Sequence, residues 1–138
     1  MSAVFPCTMR VYFDMFDKLH VLHNAQYVVL FERARWDFWD HIESGPEAEE
    51  AEWPYFVVRN TVNYRKAVRE PQDVLVEIQI AAIGNSSLTF MHRLYDQYGD
   101  LCADGETVLV RVDAETQKPI PWSARLRALI APFVITQQ

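Results

Sequence analysis

From Thr8 to Met15, apolar Met9, Val11 and Phe13 alternate with Arg10, Tyr12 and Asp14. That is the period of a strand with one buried face. Asp17 to His23 breaks it, and from Asn24 to His41 the spacing turns helical, with Tyr27, Leu30, Phe31, Ala34 and Phe38 on one stripe. Val28, Val29, Trp36 and Trp39 widen the stripe so far that the helix is expected to be wrapped on most sides. Asn24 is read as its N-cap, since a short polar side chain can accept from a free N–H of the first turn. Gly45-Pro46 reads as its stop. Beyond Pro54 strand patterns follow one another: Tyr55 to Tyr64, Asp73 to Ile83, Ser87 to Gln97 and Leu101 to Asp113. Turns at Gly84-Asn85 and Tyr98-Gly99-Asp100 make the last three an antiparallel meander. Ser123 after Pro119 and Pro121 opens a short amphipathic helix carrying Leu126, Leu129 and Ile130. The class is α+β: an antiparallel sheet of about five strands around one long helix. One helix leaves the other sheet face or an edge uncovered, so self-association is expected.

Composition narrows the picture further. The 138 residues, half of them hydrophobic, suit one domain over 1–138 with a real core. A net charge of -6 carries no basic footprint for nucleic acid. No stretch reaches the roughly 20 apolar residues of a membrane span. The first eight residues lack the charged and apolar regions of a signal peptide. Cys7 and Cys102 give neither a disulfide framework nor ligand spacing. The protein is expected to be cytoplasmic. The run Glu47 to Glu52 reads as a solvated loop or short helix in preference to a docking patch.

The chemistry is expected where the first strand joins the helix. A helix N-terminus presents unpaired N–H groups and roughly half a positive charge, which suits a carbonyl oxygen as it becomes an oxyanion. A carboxylate nearby would then activate water or attack directly. Asp17, seven residues before Asn24, is placed for that role if the loop folds back over the helix start. Alone, an aspartate ahead of a helix is more often a turn or cap residue. Asp17, His20 and His23 recur at three-residue spacing, but they would align as metal ligands only on a helix, and this segment reads as a loop. No metal is expected. Tyr27 is open to two readings, a hydroxyl on the substrate or a core tyrosine. Arg65, Lys66 and Arg69 follow a strand and are either anion contacts or solvated charges. Arg33 and Asp37 are spaced as an i,i+4 pair. The aromatic load of Trp36, Phe38, Trp39, Trp53, Tyr55 and Phe56 suits an aryl or long acyl pocket, and equally the packing of a wrapped helix.

The run from Arg10 to Arg35 resembles the signature of 4-hydroxybenzoyl-CoA thioesterase-like hotdog proteins, with Asp17, Asn24, Ala25, Tyr27, Glu32, Ala34 and Arg35 in register. Ser86 to Phe90 resembles the start of a sheet strand of the family, and Ser87 joins the substrate-binding candidates on that basis. The resemblance implies a hotdog fold, homodimers or homotetramers, and active sites at subunit interfaces with CoA held partly by the partner. Asp17 would serve as general base or nucleophile on an acyl-CoA thioester. The N–H of Asn24 or its neighbour would take the oxyanion. His20, His23, Tyr27, Arg65 and Lys66 would contact the substrate. No cofactor is implied, since CoA belongs to the substrate. His20 stands where the family usually has Gly, which permits close backbone approach or an unusual φ. It would narrow the pocket, add an acid–base group, or alter activity. The alternatives are a hotdog hydratase/dehydratase, whose usual Asp–His spacing Asp17 does not match, and a non-catalytic acyl-CoA-binding protein.

Overall fold

The computed structural model describes residues 2–43 and 54–135. The Gly45-Pro46 stop, the acidic run and Trp53 lie outside the described residues. Five strands, β1 (Phe5–Val11), β2 (Tyr55–Tyr64), β3 (Gln72–Ile83), β4 (Ser87–Tyr95) and β5 (Leu101–Arg111), form one antiparallel sheet in the order β1-β3-β4-β5-β2. Helix α1 (Asn24–Ile42) packs on β1, β2 and β3, and a seven-residue helix α2 (Ala124–Ile130) follows the meander. This is the expected α+β class.

The core lies between α1 and the inner face of the sheet. Val74, Val76, Ile78 and Ile80 of β3 meet Leu88, Phe90 and Leu94 of β4, all buried. From α1 they receive Tyr27, Leu30, Phe31, Ala34, Phe38 and Trp39. Phe38 has edge-on contacts with Phe5, Phe90 and Phe133 at centroid distances of 5.6, 5.6 and 5.0 Å. Phe38 and Trp39 are therefore packing residues; neither lines the site described below. The helix is not wrapped on most sides, however. Glu32, Arg33, Trp36, Asp37 and Asp40 are exposed, and Trp36 keeps 40% of its surface. The expected Arg33–Asp37 pair is not found among the described residues; Asp37 instead accepts from the Cys7 thiol at 2.9 Å. Burial and that carboxylate push the thiol up to about 12.

Strand ends differ from the pattern for local reasons. β1 stops at Val11, which pairs with Gln72, the first residue of β3, so nothing continues the ladder. The chain turns instead into a short 3-10 helix, Phe13–Met15, leaving Phe13 80% exposed. β4 stops at Tyr95 because Asp96 organises the turn: its Oδ1 accepts from the N–H groups of Tyr98 and Asp100, while Gly99 takes φ 85°. β5 stops before Asp113, whose carboxylate accepts from Glu115 and Thr116. The expected short helix α2 forms, and Ser123 caps it by accepting from the Leu126 N–H.

A polar group is buried within this core. Arg35 of α1 retains 4% exposure, and its Nη1 lies 3.2 Å from His92 Nε2 and 3.1 Å from Thr107 Oγ1. The threonine hydroxyl donates to Asn60 of β2. The imidazole stacks on Phe31 at 4.6 Å. Burial and the neighbouring guanidinium push His92 down to about 3, so the ring is neutral, with Nε2 as the acceptor. Glycine at position 105, opposite His92, is required by close approach, because a Cβ there would run into the Thr61 carbonyl.

Candidate active site

The loop between β1 and α1 is a tight hairpin. Phe16 bridges Leu22. The Asp17 N–H donates to the Val21 carbonyl and the His20 N–H to the Asp17 carbonyl, each at 3.0 Å. To close it, His20 takes φ 60°, the left-handed region where a Cβ is strained and glycine is not. Two further bonds fix the loop: the Leu22 N–H to the Val68 carbonyl, and the His23 N–H to the Met15 carbonyl.

The hairpin folds back against the start of α1, and the two wall a cavity of about 630 Å³. Asp17, His23, Asn24, Tyr27, Arg65 and Lys66 all border it. His20 does not; its exposed side chain lies off the wall. Ser87 is not brought there either. It pairs with Val110 at one end of the β4–β5 ladder, whereas the cavity adjoins the other end, where Arg65 and Lys66 bond to the Cys102 carbonyl.

Asp17 Oδ1 accepts from the Leu19 N–H at 2.8 Å, which orients the carboxylate, and no group among the described residues takes Oδ2. At the helix tip the N-cap is His23, one residue before the expected Asn24: its Nδ1 accepts from the Ala25 N–H at 3.0 Å. The Tyr64 hydroxyl donates to the Asn24 carbonyl at 2.9 Å. The peptide joining Asn24 and Ala25 is thus held at both its N–H and its C=O. The Asn24 N–H, by contrast, has no acceptor among the described residues. Of the two donors considered for an oxyanion, Asn24 is open and Ala25 is occupied.

Tyr27 is buried and its ring forms part of the cavity wall, edge-on to Tyr64 at 5.1 Å. Burial pushes its hydroxyl up to about 12, partly opposed by the Val68 backbone, so it stays a neutral phenol. The two cations are already paired. Arg65 grips Asp104 through Nε at 2.6 Å and Nη2 at 3.3 Å, and Lys66 reaches Asp96 at 2.8 Å and Asp100 at 2.6 Å. These carboxylates raise both cations' pKa values, and an incoming anion has to compete with them. Among the described residues no cluster of three His, Cys, Asp or Glu side chains is assembled to hold a metal, so Asp17, His20 and His23 form no such centre.

Lys18, Leu19, Val21, Leu22, Tyr64 and Ala67 also border the cavity and were not singled out from the sequence. Tyr64 had a signal, since it opens the Tyr64-Arg65-Lys66 run at the end of a predicted strand. The Arg35–His92–Thr107 group had one too, because His92 sits at an inward position between Phe90 and Leu94.

The chain is similar to known proteins over nearly its whole length. The profile of the thioesterase-like superfamily matches residues 11–130. The acyl-CoA thioester hydrolase YbgC of Escherichia coli O157:H7 is 30% identical over 133 residues, 96% of this chain and 97% of that protein. A predicted thioesterase from Bacillus stearothermophilus superposes with a TM-score of 0.86 at 26% identity, over 99% of this chain and 100% of the other. A thioesterase from Thermus thermophilus, complexed with coenzyme A and Zn, gives 0.77 at 27% identity, over 91% and 90%. The hairpin, the helix tip and the cavity between them all fall within the matched span, and this chain belongs to the thioesterase-like superfamily.

Proposed function

We propose that the protein hydrolyses an acyl-CoA thioester to the free acid and CoA. The observation that carries this reading is the placement of Asp17 and the open Asn24 N–H on the wall of one cavity. The thioester carbonyl carbon sits between them, with its oxygen toward Asn24. On the general-base route, Asp17 Oδ2 takes a proton from water as the hydroxide oxygen bonds to that carbon. The resulting oxyanion is stabilised by the Asn24 N–H and the positive end of α1. The carbon–sulfur bond then breaks, and the thiolate receives the proton held by Asp17. On the nucleophilic route, Asp17 itself adds to the carbon, the thiolate leaves, and water hydrolyses the mixed anhydride. His23 and Tyr64 position the donor by holding the adjoining peptide. Support comes from the curated relative named as an acyl-CoA thioester hydrolase and the related structure complexed with coenzyme A.

The working unit is a homo-oligomer of the hotdog type. β2 borders the sheet, and Phe56, Val57 and Val58 are exposed in succession along it, Val58 to 59%. A long apolar edge is a template for pairing, and a second copy of the chain covers it.

A panel of acyl-CoAs with free-thiol detection tests the activity. Thiol release matched by free acid is expected for at least one acyl group. Tight binding without turnover, or water loss from a 3-hydroxyacyl-CoA, would overturn the reading.

A further inference from the structure

The hydrogen bond that makes His23 the N-cap of α1 also fixes where its imidazole carries a proton. Nδ1 accepts from the Ala25 N–H at 3.0 Å, so Nδ1 holds the lone pair. A neutral imidazole has one acceptor and one donor nitrogen, and here the donor is Nε2. That N–H bonds to no group among the described residues. The side chain is exposed and borders the same cavity as Asp17 and the open Asn24 N–H. The residue is held on its backbone as well: its N–H donates to the Met15 carbonyl at 3.0 Å, and its carbonyl accepts from the Gln26 N–H at 2.9 Å. Lys18 and the Asn24 carboxamide also border the cavity, but no hydrogen bond among the described residues orients either side chain. His23 is therefore an oriented donor whose proton is uncommitted.

Thioester cleavage develops negative charge at two atoms, first the carbonyl oxygen and then the sulfur. In the proposed hydrolysis the Asn24 N–H serves the oxygen, and nothing yet serves the sulfur. We propose that His23 Nε2–H is the hydrogen-bond donor to the leaving sulfur, which makes His23 a catalytic residue as well as the cap of α1. As the carbon–sulfur bond breaks, its electron pair goes to sulfur, and the bond from Nε2–H strengthens onto the forming thiolate. His23 keeps its own proton throughout. The proton that neutralises the thiolate is the one Asp17 took from water on the general-base route, and comes from solvent on the nucleophilic route. The inference rests on the thioesterase reading, because the donor needs a leaving thiolate to act on.

Two variants separate the roles of the two ring nitrogens. His23→Ser keeps an N-cap acceptor and removes the donor, whereas His23→Gln keeps an N–H near the place of Nε2 and caps poorly. Both are assayed on an acyl-CoA and on the nitrothiophenol thioester of the same acid, whose leaving thiolate is stable enough to need little help. His23→Ser should melt like wild type and lose at least about tenfold in kcat on the acyl-CoA, with KM within about twofold. On the aryl thioester its loss should stay below about threefold. His23→Gln should melt a few degrees lower and yet turn over the acyl-CoA faster than His23→Ser. Nitrogen NMR of wild type, which requires no turnover, should find the His23 proton on Nε2. A proton on Nδ1, wild-type turnover by His23→Ser, equal losses on the two thioesters, or a Gln variant no faster than Ser would each overturn the donor and leave the thioesterase reading standing. A wild type that hydrolyses no acyl-CoA would remove the thioesterase reading, and this inference with it.

Discussion

At the scale of single residues, His20 shows how the structure changes the meaning of a sequence feature. As a departure from the family's Gly it suggested a changed pocket. Its φ of 60° shows instead that glycine suits this position for backbone reasons, and that the imidazole lies off the cavity wall. Left-handed backbone costs a β-branched residue most and glycine least. His20→Gly should therefore match or exceed wild-type stability, by up to about 1 kcal/mol, and His20→Val should lose stability. Turnover by His20→Gly should stay within about twofold of wild type. Thermal melts and steady-state kinetics of the two variants check this; a Gly variant as unstable as Val, or one much slower than wild type, would contradict it. The unusual φ was legible in part, from the glycine that the family usually has at this position; the shift of the N-cap from Asn24 to His23 was not, because it depends on how the loop closes in three dimensions.

At the scale of elements, periodicity identified α1, β2, β3, β4, β5 and α2, and the buried stripe of α1. It failed where pairing or a side chain ends a strand, as at Val11 and Asp96. It also passed over the Arg35–His92–Thr107 group that ties α1 to β4 and β5. That group predicts a pH dependence. The unfolded His92 titrates near 6.5 and the buried ring near 3. Between these values the unfolded chain binds the extra proton, so stability is complete above 6.5 and falls as pH drops toward 3, by at most about 1.4 kcal/mol per pH unit. Asp96, Asp104 and Asp113 have carboxyl pKa values depressed below 3.8, and their contributions are lost only as pH falls below that value. Denaturant unfolding between pH 7 and 4 should therefore show a loss that His92→Gln, which keeps an acceptor for Arg35, largely removes. Parallel profiles for the two proteins would contradict this account.

At the scale of the whole molecule, the class and the cavity proposed as the site were readable because strand, loop and helix follow one another in the chain. Of its far side only Arg65 and Lys66 were named from the sequence; Tyr64 and Ala67 were not, because only the fold brings that distant segment to the helix tip. The exposed β2 edge predicts self-association. Light scattering at micromolar concentration should give a dimer or tetramer, and Val58→Lys on the edge should shift it toward monomer. A monomeric wild type would contradict the interface.

The central claim is that the Asp17 carboxylate drives thioester cleavage, and the most direct measurement is kcat of Asp17→Asn on the best acyl-CoA of the panel, alongside its melting curve. The account predicts a fall of at least about a hundredfold with melting unchanged. Wild-type turnover by a normally folded Asp17→Asn protein would contradict it.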